Sequence, residues 1–180
     1  RQMAREGADR EAHVQVSFLE AAKGADRMVE LPDGRRLTVK IPEGIESGGK
    51  IKLSGQGESG VGGGPAGDLI LIINVTPHPY FVRDGQNIVL KLPITFSEAV
   101  LGGEVEVPTL DGKVVMKIPK GVSSGQQLKL AQKGLKSLRT GQKGDQLVEL
   151  MIKVPKPPYA ARVEAAEKLR EATFKPRDEF

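Results

Sequence analysis

Cysteine and tryptophan are absent from this 180-residue chain, and aromatic side chains are scarce, with 5 Phe and 2 Tyr. Without cysteine there is neither a disulfide framework nor a thiolate zinc site. Long apolar runs are missing too: LILII, residues 69–73, is the longest, against about 20 residues for a membrane-spanning helix. A strong charge of one sign is also lacking, since 27 Lys and Arg face 23 Asp and Glu for a net +4. The basic residues are dispersed, so long-range attraction to nucleic acid is weak. These absences point to a cytoplasmic protein with no metal, no cofactor and no membrane contact.

A core short of aromatics must be built from Val, Ile and Leu, which suit half-buried strands. Twenty-two Gly and 12 Pro supply the turns such a β-rich chain needs. The chain opens RQMAREGADRE, without an initiating Met or an apolar leader, and reads as a fragment whose natural start lies upstream.

The main organising fact is a repeat. KIPEGIESGGKIKLSGQG from Lys40 aligns without a gap to KIPKGVSSGQQLKLAQKG from Lys117, with 9 of 18 positions identical, where chance gives about one. The likeness extends back to VSFLEAAKG against ITFSEAVLGG, and forward to GDLILIINVTPHPY against GDQLVELMIKVPKPPY. Each copy predicts an alternating strand (Val14, Val16 and Phe18 in the first), a short helix stopped by glycine, and a hairpin. The hairpins are MVEL with RLTVKI across PDGR, and VEVP with KVVMKIP across TLDG. Pro42 and Pro119 end strands, and a long closing strand follows in each copy. LILII, apolar at every position, predicts a closing strand covered on both faces and a thicker first core.

Three motif matches fail on context. Gly55, Gly57 and Gly60 form G-x-G-x-x-G, but GVGGGPAGD cannot start the helix whose amides would hold a pyrophosphate, and no acidic residue follows at the ribose spacing. The glycine stretch reads instead as a long flexible connection. GIESGGK, residues 44–50, has Ile51 where a phosphate loop needs a hydroxyl. GVSSG centres Ser123, but a strand follows it and the first copy has Glu46 there. His78, Arg83 and Asp84 could suggest acid–base chemistry, yet Pro77 and Pro79 read as a corner, Tyr80 and Phe81 as packing, and Asp84-Gly85 as a turn. His13 is the one other imidazole. No enzyme is expected.

The series FLEAAKG, VKIPEGIESGGKIKLSGQGE, HPYFVRDGQNI, PITFSEAVLGGEVEVPTLDGKV and KGLKSLRTGQKGDQL resembles the C-terminal substrate-binding domains of DnaJ-type co-chaperones. LPDGRRL occupies the place where the zinc-binding subclass carries its cysteines, so the resemblance is to the zinc-free subclass, including a DNA-associated bacterial relative. The resemblance implies a mainly β fold: two tandem small β-sandwich domains, each with a short helix, and a C-terminal helix. The division expected is 1–11 as linker remnant, 12–88 and 89–158 as the two domains, and 159–180 as helix and tail. It also implies a stress-response chaperone fragment that binds extended apolar segments of unfolded polypeptide by strand addition and delivers them to a DnaK-type ATPase chaperone. The alternative is a DNA-associated nucleic-acid-binding module. HPY at His78 is not the His-Pro-Asp of a J domain, so the fragment alone is not expected to stimulate ATP hydrolysis.

By position, the peptide-binding groove would use Ala12 and Val14, Val29 and Leu31, and Leu71; the same five residues also suit an ordinary core. Arg27, two residues from Val29, would offer charge at the rim, with a solvated surface arginine as the alternative. Val105 and Val107 would take the places of Val29 and Leu31 in the second copy. In AARVEAAEKLREATF, Val163, Ala166 and Leu169 make a single apolar stripe. That stripe suits either a homodimer contact, as in the family, or docking onto the second domain.

Overall fold

The computed structural model describes residues 3–156, 160–172 and 174–180. It is mainly β, with several small sheets and a short C-terminal helix. The expected C-terminal segment 159–180 is described except for residues 159 and 173.

The first unit runs through β1 (Arg10–Val16), α1 (Phe18–Lys23), β2 (Ala25–Glu30), β3 (Arg36–Ile41), β4 (Lys50–Leu53) and β5 (Leu69–Val75). The second runs through β6 (Phe81–Asp84), β7 (Asn87–Ile94), α2 (Phe96–Leu101), β8 (Gly103–Thr109), β9 (Gly112–Ile118), β10 (Gln127–Leu130) and β11 (Gln146–Ile152). Then come α3 (Ala160–Glu171) and a 3-10 turn at Pro176–Glu179.

Each unit sets a small sheet against a hairpin. The sheets are ordered β1-β5-β4 and β10-β11-β7-β6, and the hairpins are β2–β3 and β8–β9. The long closing strands pair parallel with the opening ones, Arg10 opposite Leu69 and Ile88 opposite Gln146. Residues 81–88, placed at the end of the first domain by the sequence division, lie in the second sheet. Residues 10 and 11, left in the linker, begin β1.

The repeat is atomic in its details. α1 and α2 open on capping boxes, Ser17 with Glu20 and Thr95 with Glu98, which satisfy two otherwise orphaned N–H groups each. Asp68 accepts from Gly55 N–H as Asp145 accepts from Gln132 N–H. Both acceptors brace a left-handed residue, and Gln132 is the one described non-glycine residue with positive φ. Ser47 and Ser124 accept from Val75 N–H and Ile152 N–H. The first hairpin spans one residue more than the second between Ala25↔Ile41 and Gly103↔Ile118. The helix caps therefore fix the equivalents of Val29 and Leu31 as Val107 and Thr109, correcting the Val105 and Val107 expected from sequence.

Two other expectations change. β5 alternates between buried and half-buried side chains in the same pattern as β11, so LILII is not covered on both faces; the hairpin covers one face, and Ile70 and Ile72 stay half-exposed. The glycine loop 55–67 is not an unattached connection. Arg5 and Val61 exchange backbone hydrogen bonds, Gly7 N–H donates to Pro65 O, and Glu58 N–H donates to Ala8 O. A Cβ on Gly64 would lie 2.1 Å from Arg5 O, so the glycines let residues 5–8 lie directly on the loop.

α1 joins the two cores. Ala21 packs in the first cluster, while Phe18 and Ala22 pack in the second beside Phe81. Phe18, written as the end of the strand alternation, is thus helical and reaches the neighbouring unit.

Candidate functional site

The five groove candidates meet in the first unit. β1 places Ala12 opposite Leu71 and Val14 opposite Ile73, and β2 with its following residue brings Val29 and Leu31 onto the same cluster. Val14 and Val29 are 9% and 8% exposed and Leu31 4%, while Leu71 is fully buried. Ala12 alone of the five is half-buried, so it marks where the core reaches the surface. Leu37, cross-strand from Val29, packs beside it; the alternation in RLTVK could have revealed that neighbour.

What distinguishes the place is its backbone. β1 pairs with β5 alone, so among the described residues it keeps one unpaired edge; β2 beside β3 keeps one too, as does β8 beside β9 in the second unit. In the second unit the edge of β7 equivalent to the open edge of β1 is covered by β6, with Phe81 buried against the second core. The second core is also more polar at matching positions. Thr109 stands for Leu31, and Gln146 for Leu69, with the Gln146 amide donating to Pro108 O.

Arg27 lies on the Val29 face, but its guanidinium donates to both Glu20 oxygens at 3.0 and 2.9 Å. The Glu20 carboxyl sits below its ordinary range because Ser17 N–H and then Arg27 stabilise its charge. Arg27 thereby ties β2 to α1.

The residues considered for acid–base chemistry have structural partners. His78 Nδ1 accepts from Tyr80 N–H and Phe81 N–H, which puts its proton on Nε2, and its ring lies against Phe18, Tyr80 and Phe81. Arg83 donates to Gly44 O at 3.0 Å, Ile45 O at 2.8 Å and Gly85 O at 2.9 Å. Burial pulls its guanidinium below the ordinary value while Glu46 opposes this. Asp84 closes the β6–β7 turn opposite Asn87, His13 contacts Asn74, and exposed Ser123 is followed by a turn into β10. Among the described residues no three His, Asp or Glu side chains converge as metal ligands, and no helix is long and apolar enough to cross a membrane.

α3 buries nothing, and Val163 and Leu169 are 42% and 45% exposed, with Ala166 also exposed. α2 buries Ala99 but is otherwise largely exposed. Phe96 and Val100, the counterparts of Phe18 and Ala22 on α1, are 51% and 47% exposed, and Leu101 beside them is 67% exposed. The face that α1 presents to the second unit is therefore uncovered on α2.

Residues 10–155 match the DnaJ C terminal domain family. The chain is 42% identical over 173 residues to chaperone protein DnaJ 2 of Synechocystis sp., covering 96% of this chain and 54% of that protein. It is 48% identical over 122 residues to the chaperone protein DnaJ of Halalkalibacterium halodurans, covering 68% of this chain and 33% of the relative. For the chaperone protein DnaJ of Clostridioides difficile the identity is again 48% over 122 residues, covering 32% of that relative. The chain thus spans about half of the first of these relatives and a third of the others.

Proposed function

The chain belongs to the DnaJ C-terminal domain family, and from that membership we propose that it is the client-holding part of a cytoplasmic co-chaperone. It takes extended apolar segments of unfolded polypeptide at the first unit, for delivery to a DnaK-type ATPase chaperone. The observation carrying this reading is the open edge of β1 beside an aliphatic core, at a position that the chain's own β6 fills in the second unit. A guest strand satisfies the open backbone groups whatever its sequence, and its alternate side chains meet Ala12, Val14, Val29 and Leu31 above the Leu71 floor. The two functional domains divide within residues 76–80, between β5 and β6.

One Leu-sized guest side chain contributes about 1.5–3 kcal/mol, short of the roughly 4 kcal/mol of millimolar binding. Backbone pairing and two grooves acting together supply the rest. A homodimer through Val163, Ala166 and Leu169 of α3 would bring two grooves together, and the bare faces of α2 and α3 support it. Sedimentation should then give twice the chain mass, reverting to one with Val163→Asp and Leu169→Asp combined.

Leu31 is too buried to accept a charge without unfolding, so the groove is tested at half-buried Ala12. Ala12→Glu should melt close to the parent and lose at least half of the suppression of aggregation of a denatured client. A folded Ala12→Glu protein that protects as well as the parent contradicts the groove assignment.

A further inference from the structure

A second recognition surface lies between the units. The loop after β3 and the loop before β11 face each other across a cleft of about 730 Å³ whose walls include Glu46, Lys50, Arg83, Leu138, Arg139 and Lys143. That volume is within the range of about 300–1,000 Å³ usual for ligand clefts. The cleft is fixed rather than incidental. Arg83 of β6 is hydrogen-bonded to the Gly44 and Ile45 carbonyls, and a Cβ on Gly44 would lie 2.0 Å from Lys136 O of the opposite loop.

Its charge is one-sided. Lys50, Arg83, Arg139 and Lys143 line it against one carboxylate, Glu46, which lies 3.5 Å from Arg83, and Glu43 lies 3.9 Å from Lys143. Lys50 and Arg139 have no carboxylate partner among the described residues, and both are exposed. Leu138, 58% exposed, puts an aliphatic side chain beside these cations. None of the described lining residues is aromatic, so the cleft lacks the stacking platforms on which single-stranded nucleic acid depends.

We propose that this cleft binds an acidic, extended peptide segment, with Lys50, Arg139 and Lys143 pairing its carboxylates and Leu138 contacting an intervening apolar side chain. The site lies outside the client groove on β1 and β2 and recognises charge where the groove recognises apolar surface. The arginine supplies a planar fork suited to a carboxylate, and the lysines supply point charges.

The test uses the full chain and a fluorescently labelled peptide of alternating Glu and Leu, followed by anisotropy. The same peptide with Gln for Glu and a single-stranded oligonucleotide of equal charge serve as competitors. The expected result is binding that weakens with salt and falls about tenfold in a variant combining Arg139→Glu and Lys143→Glu. Each exposed pair contributes up to about 1 kcal/mol, and 1.4 kcal/mol is tenfold. The Gln peptide should compete poorly, and a neutral apolar peptide should bind parent and variant equally. Unchanged affinity in a folded variant, equal competition by the Gln peptide, or tighter binding of the oligonucleotide would each overturn the proposal.

Discussion

Arg83→Ala tests what holds the two units together. The arginine side chain is 20% exposed and donates two hydrogen bonds across the junction, to Gly44 and Ile45, and one within its own turn, to Gly85. Hydrogen bonds from a charged donor contribute about 1.5–3 kcal/mol each. Two effects reduce the total: the guanidinium loses hydration on burial, and the truncated side chain admits water to the exposed carbonyls. The Glu46 contact at 3.5 Å adds little because Glu46 is 65% exposed. The net loss is about 2 kcal/mol, which at about 2–4 °C per kcal/mol for a chain of this size lowers Tm by about 4–8 °C. Circular dichroism melts measure it directly. Arg83→Lys should recover little, because one ammonium cannot span both carbonyls in the same fork. A fall below about 0.5 kcal/mol, or an equal fall in Glu46→Ala, refutes the assignment of the junction to these bonds.

Two further perturbations probe other parts of the account. The Glu20 carboxyl is lowered in the folded state by Ser17 N–H and Arg27, so its contribution is present above the ordinary value of 4.5 and is lost as pH falls through the lowered one. Denaturant unfolding should find Glu20→Gln less stable than the parent at pH 7, with the gap closing towards pH 2; a gap constant with pH contradicts this. Gly64→Ala should push Arg5 off the loop and raise amide exchange at Arg5 and Gly7 while leaving that of β5 unchanged. Unaltered exchange at Arg5 would show that the glycine is not needed for the contact.

Local chemistry made much of this fold legible. The repeat, the hairpin turns, the glycine stops and the prolines after β3 and β9 all follow from residues near one another in sequence. Partnership at a distance was harder to read. Nothing local announces that β1 pairs parallel with β5, whereas Asp84-Gly85 does mark the turn through which β6 pairs with β7. LILII reported a capacity for burial, but which face is covered depends on where the hairpin lies. The gathering of Ala12, Val14, Val29, Leu31 and Leu71 was foreseeable by position and strand parity. Arg27 was placed on the correct face, yet its Glu20 partner lay across a helix turn that strand alternation does not describe. The glycine loop hid its role because close backbone approach to residues 5–8 is a contact, and glycine spacing alone carries no partner.

Hydrogen exchange with and without an extended apolar peptide examines strand addition most directly. At peptide 100 times Kd, amides along the open edge of β1 should gain about 100-fold protection, while β7, already paired with β6, should change little. Protection confined to the second unit, or absent from both units while the peptide is bound, would contradict strand addition at the first.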